Sequence, residues 1–130
     1  MPRAKLPTRV LIVDNELLVR WSLSAGLSLA GFETLTAAGA DEALQLARQW
    51  PPPDVVLLDA GLHDGDPAAL LEDLRLAAPG CRVVALTTAG HETPAWKDIT
   101  VITKPFDLAD VVRRVEAAEP PVRPSPQRRP

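Results

Sequence analysis

The sequence predicts an α/β fold, a parallel β-sheet covered on both faces by helices, on two observations. Short apolar runs alternate with helix-length segments along the whole body of the chain. Several of those runs are continuously apolar instead of alternating, which suits strands buried on both faces of a parallel sheet. At 130 residues the chain is the size of one domain.

The strand candidates, in order, are Val10 to Val13, Phe32 to Ala37, Val55 to Leu58, Arg82 to Leu86 and Ile99 to Ile102. In the first helical segment Val19, Leu23, Gly26, Leu27 and Ala30 recur at helical spacing as one apolar stripe, and Gly31 ends it. Leu17, Trp21, Ser24 and Ser28 fall on the opposite side of that helix. The second helix is expected from about Ala40 to Trp50, with Asp41 and Glu42 in its first turn, where acids suit the helix dipole. Pro51 to Pro53 stop it. The third begins with Asp66 as N-cap and Pro67 at the first helical position, and runs out at Ala78 to Gly80. The last covers Asp107 to about Ala118. From Pro120 to Pro130, five of eleven residues are proline, so this Pro/Arg-rich stretch reads as an extended tail or linker stub behind a domain of residues 1–119.

Charge is segregated along the chain. Six of the 14 basic residues lie before Val10 or after Glu119, so residues 10–119 carry about −9 although the whole chain carries −3. An acidic body argues against direct nucleic-acid binding. There is no apolar run of about 18 residues and no signal-peptide pattern, and the lone Cys81 has no internal disulfide partner. A cytoplasmic location with no membrane contact is the expectation. His63, His91 and Cys81 have no transition-metal spacing.

Polar residues cluster where strands end. The first strand runs into "DNE", Asp14 to Glu16; the third into Asp59; the fourth into Thr87 and Thr88; the fifth into Lys104. In an open parallel sheet, ligands collect at the carboxyl ends of strands, beside the point where strand order reverses. Each residue alone has a bland explanation, such as a helix cap or a turn. Two carboxylates, an amide, a hydroxyl and an ammonium, all at strand ends, point jointly to a site.

The ordered segments "LIVDNE", "PDVVLLDAGLHDGD", "VVALTT" and "KPF" resemble the response-regulator receiver domain of two-component signalling, over about Thr8 to Ala118. The resemblance implies a flavodoxin-like, doubly wound five-stranded sheet in the order 2-1-3-4-5, which sets Asp14 beside Asp59. It implies that Asp59 accepts a phosphoryl group from a sensor histidine kinase or a phosphotransfer domain. Because a carboxylate attacking a phosphoryl anion meets like-charge repulsion, a divalent cation is required. Mg2+ would be held by Asp14, Asn15, Asp59 and the backbone carbonyl of Gly61. Lys104 would neutralise a phosphoryl oxygen and Thr87 would hydrogen-bond the phosphoryl group. The Lys104–Pro105 bond is commonly cis in the family, which would aim Lys104 into the site. Leu17 and Trp21 lie on the helix face that kinases generally contact there.

Four features depart from the family pattern. Asn15 replaces the second acid of the usual pair, removing one negative charge from the site and predicting weaker Mg2+ binding. His63 stands where proline is usual. Thr87 and Lys104 are only 17 positions apart, so the helix between the fourth and fifth strands is expected to be shortened or absent. Val101 occupies the place of a switching aromatic ring, and the chain has no tyrosine.

The leading reading is therefore a phospho-accepting receiver, with at most self-phosphorylation and aspartyl-phosphate hydrolysis as activity, passing its state to an unknown downstream output protein or domain as a monomer or weak homodimer. The rival is a pseudo-receiver that binds partners without phosphorylation. A nucleotide-binding enzyme lacks support, since no Gly-rich loop follows the first strand.

Overall fold

The computed structural model describes residues 7–62, 64–88 and 99–118. Along them run β1 (Arg9–Val13), α1 (Leu17–Leu29), β2 (Glu33–Ala37), α2 (Ala40–Ala47), β3 (Val55–Asp59), α3 (Pro67–Ala77), β4 (Arg82–Thr88), β5 (Thr100–Lys104) and α4 (Leu108–Ala118). The strands form one parallel sheet in the order β2-β1-β3-β4-β5. Sequence order reverses at β1, which lies between β2 and β3, so the switch point falls between the ends of β1 and β3.

Alternation along the strands separates two cores. Val10, Ile12, Val55, Leu57, Val84, Leu86 and Ile102 pack against Leu23 and Leu27 of α1 and Val111 and Val115 of α4. Leu11, Val13, Val56, Leu58 and Val83 pack on the other face, against Ala43 and Ala47 of α2 and Leu70, Leu71 and Leu74 of α3. Residues 10–13 and 55–58 are fully buried, which is why β1 and β3 read as unbroken apolar runs. β2, at the edge, alternates Glu33, Thr34, Leu35 and Thr36 and is mostly half-buried or exposed.

The strand positions agree with the sequence reading to within one or two residues; three helix details do not. The α1 stripe stops at Leu27: Ala30, expected to join it, is an exposed C-cap whose N–H donates to Gly26 and Leu27, because Gly31 (φ +98°) already turns the chain away. Ser24 and Ser28 are not on a free face, since both hydroxyls bond Thr34 Oγ1 of β2, at 2.8 and 3.3 Å. Finally, α2 ends at Ala47, not near Trp50. A residue before proline is pushed out of helical backbone, so the helix closes at its C-cap Arg48, ahead of Trp50.

The expectation of a shortened or absent helix between β4 and β5 falls on residues outside those described, as do His63 and the tail.

Candidate functional site

Register brings the two acids together. Val13 pairs with Leu58 across β1 and β3, so Asp14 and Asp59, one residue further on each strand, become neighbours at the carboxyl edge. Asp14 is completely buried and Asp59 is 5% exposed. Lys104, the last residue of β5, reaches over the end of β4 to join them. Its Nζ donates to Asp14 Oδ2 at 2.7 Å, stands 3.4 Å from Glu16 Oε1, and lies 3.7 Å from Asp59 Oδ2. The Lys104–Pro105 bond is cis.

The remaining carboxylate oxygens are held by backbone. Asp14 Oδ1 accepts from the N–H of Glu16 and Asp59 Oδ1 from the N–H of Gly61, each at 2.9 Å. Arg20 of α1 donates to the Asp14 carbonyl at 2.7 Å, fixing the turn from strand into helix. Burial pushes the Asp59 carboxyl above its ordinary pKa, aided by Asp14 and Glu16; the Gly61 N–H and Lys104 oppose the rise without cancelling it. Lys104 also titrates above its ordinary value. Burial alone would lower it, but its contacts with Asp14, Asp59 and Glu16 outweigh that.

Lys104 thus links Asp14 and Asp59. Thr87 is buried near the end of β4, opposite Thr103 and one residue past Leu86, the register partner of Asp59. Asn15 is exposed at the mouth. Gly61 is close enough that a side chain there would touch Asp59 Oδ1. Leu17 and Trp21 are both exposed, at 67% and 73%, and Leu18 adds a third apolar side chain at 72%. Sequence reasoning gave no role to Glu16 or Arg20, which serve the site directly. Their place after Asp14 at the head of α1 was the available signal.

The sequence profile of the response regulator receiver domain matches residues 10–116. The chain belongs to the response-regulator receiver family. Among curated relatives of this receiver domain, a probable transcriptional regulatory protein TcrX from Mycobacterium tuberculosis is 34% identical over 116 residues, covering 85% of this chain and 49% of the relative. The sporulation initiation phosphotransferase F of Bacillus subtilis is 28% identical over 79% of this chain and 86% of its own length. A solved CheY-like receiver domain from Methanospirillum hungatei superposes with TM-score 0.75 at 26% identity, covering 86% of this chain and 93% of that one. The receiver domain spans about half the length of the transcriptional regulators it matches.

The donor set of the receiver site suits a hard cation. Two buried carboxylates meet there, and the carboxylates around Lys104 outnumber its single positive charge. Among the described residues no group of three or more His, Cys, Asp or Glu side chains is placed to hold a metal ion by itself. Carboxylate oxygen is the ligand type Mg2+ takes, usually one or two carboxylates with several waters kept.

The loop after Asp59 is tied to the neighbouring helix. Asp64 Oδ2 accepts from the N–H of Ala40 at 2.7 Å, capping α2 from 24 positions away. A Cβ at Gly39 would lie 2.4 Å from that oxygen, although the Gly39 backbone is extended and any residue could adopt it. Gly39→Ala and Asp64→Ala are each expected to cost about 1 kcal/mol, and the double variant little more than either alone. Urea unfolding of the three variants measures this; additive losses would show that the two residues act separately.

Proposed function

We propose that this receiver domain accepts a phosphoryl group on Asp59, with Mg2+ held by Asp14, Asp59, Asn15 and the Gly61 carbonyl. The observation that carries the reading is Asp59 itself: a buried carboxylate with Oδ1 held by the Gly61 N–H and Oδ2 turned toward Lys104. A hydrogen-bonded carboxylate has a fixed direction of approach, and Oδ2 is the oxygen left for phosphorus. As Oδ2 forms the new P–O bond, the P–N bond of the donor's phosphohistidine breaks and the imidazole nitrogen keeps the electron pair, then takes a proton. Mg2+ would offset charge on the carboxylates and the transferring group. Lys104 pairs with a phosphoryl oxygen, and Thr87 donates its hydroxyl to another.

The donor on this reading is a histidine kinase or a phosphotransfer domain, docking over the exposed Leu17 and Trp21 of α1. Residues 1–119 form the receiver and 120–130 its tail, acting in the cytoplasm. Among the described residues no helix is long and apolar enough to cross a membrane.

Incubation with acetyl phosphate and Mg2+ should add one phosphoryl mass to the intact protein. Asp59→Ala should abolish the gain, and chelation should suppress it. A gain of equal size in Asp59→Ala would place the acceptor elsewhere. No gain in the wild-type chain would leave a phosphorylation-independent interaction module as the better account.

A further inference from the structure

Glu16 occupies the N-cap position of α1, with extended backbone at φ −94° and ψ 119°. A side chain at an N-cap ordinarily accepts a hydrogen bond from the first turn of its helix. Glu16 makes no such bond. Its N–H is held by Asp14 Oδ1, and its carboxylate turns out of the helix to Lys104, 88 positions away, at 3.4 Å.

The ammonium therefore has two unequal acceptors. Asp14, with a side chain 0% exposed, holds it inside the sheet at 2.7 Å, while Glu16, with a side chain 61% exposed, holds it at the mouth. A cation entering between Asp14 and Asp59 competes with Lys104 for Asp14 Oδ2. Asn15 adds no charge to that competition. With Glu16 counted, three carboxylates face one ammonium, leaving two negative charges, which is the charge a divalent ion brings.

We propose that Glu16 is a positioning residue for Lys104 that makes up for the charge missing at Asn15. Its carboxylate takes over the ammonium when a cation claims Asp14, and keeps Lys104 at the mouth of the site, where a phosphoryl oxygen arrives. The use of this handover rests on the phosphoryl-acceptor reading above; the hold of Glu16 on Lys104 does not.

Glu16→Gln keeps the size of the side chain and removes its charge, so it separates the two roles. In the metal-free protein, with a chelator present, Lys104 in Glu16→Gln should be acylated by dilute acetic anhydride about threefold faster than in the wild type, relative to the other lysine residues in peptide mass spectra. An unchanged rate overturns the hold on Lys104. Calorimetric titration with Mg2+ should then show an affinity loss of about threefold to tenfold for Glu16→Gln in the natural Asn15 background, and a loss under about twofold in Asn15→Asp. Equal losses in the two backgrounds overturn compensation for Asn15. If the wild-type chain takes up no Mg2+ at all, the acceptor reading and the handover built on it fall together, and the acylation rates still decide whether Glu16 holds Lys104.

Discussion

Lys104→Met should destabilise the metal-free domain by about 3 kcal/mol at pH 7, and Mg2+ should restore most of that loss. Lys104 pairs with a fully buried Asp14 and stands 3.7 Å from a nearly buried Asp59, and methionine preserves its apolar stem while deleting the charge. Two carboxylates with little access to water would then face each other unneutralised. Asp59 already titrates above its ordinary value with Lys104 in place. Without the ammonium, the native state would hold a proton on Asp59 more firmly still. Native protein then binds more protons than unfolded protein, so the stability of the variant rises as pH falls from 7 toward the ordinary carboxylate range. Wild-type stability should change much less over that interval. Chemical denaturation at several pH values, with chelator and with millimolar Mg2+, measures both effects. Because the ion would bind only the folded form, it should stabilise the variant more than the wild type, where Lys104 competes for Asp14. A variant as stable as the wild type at pH 7 without metal would show that water reaches the pair and that Lys104 is not what neutralises it.

The parts of the site legible in the sequence are those fixed by strand ends. An apolar run that stops at an acid or a lysine announces both the strand and the residue delivered at its edge, which is how Asp14, Asp59 and Lys104 could be picked out. Their convergence depends on strand order, and that came from the motif resemblance, not from the apolar pattern. Side-chain direction in the connecting turns was not legible. Glu16 could have capped α1 or pointed to solvent, and only the path of β5 puts an ammonium within its reach. The Asp64 cap on α2 is hidden for the same reason: it joins two loops whose approach is set by the sheet register. The far end of α2 lay within reach of local reasoning, since a proline restricts the residue before it and the helix had to close ahead of Trp50.

Leu57→Ala should cost about 3 to 4 kcal/mol and lower the melting temperature by roughly 10 to 15 °C, while leaving acceptor chemistry at Asp59 intact in the protein that stays folded. Leu57 is fully buried at the centre of the sheet, paired with Ile12 of β1 and Val84 of β4, and belongs to the core shared with α1 and α4. Truncation to alanine removes apolar contact on a face closed by two helices, where neighbours on regular strands have little freedom to collapse into the gap. A small domain has only about 5 to 15 kcal/mol of stability in all, so the loss is a large fraction of the reserve without exceeding it. Asp59 lies two residues further along the same strand, but its position depends on the Val13–Leu58 and Asp59–Leu86 register and on the Gly61 N–H, none of which involves the Leu57 side chain. Acetyl phosphate labelling at 15 °C, with the folded fraction measured by circular dichroism, should therefore give a wild-type rate per folded molecule. Leu76→Ala, at a residue 79% exposed on α3, is the matched control and should change stability by less than about 0.5 kcal/mol. If Leu57→Ala instead slowed labelling in fully folded protein, the core and the strand ends would be mechanically coupled, and the site could no longer be treated as a rim supported passively by the sheet.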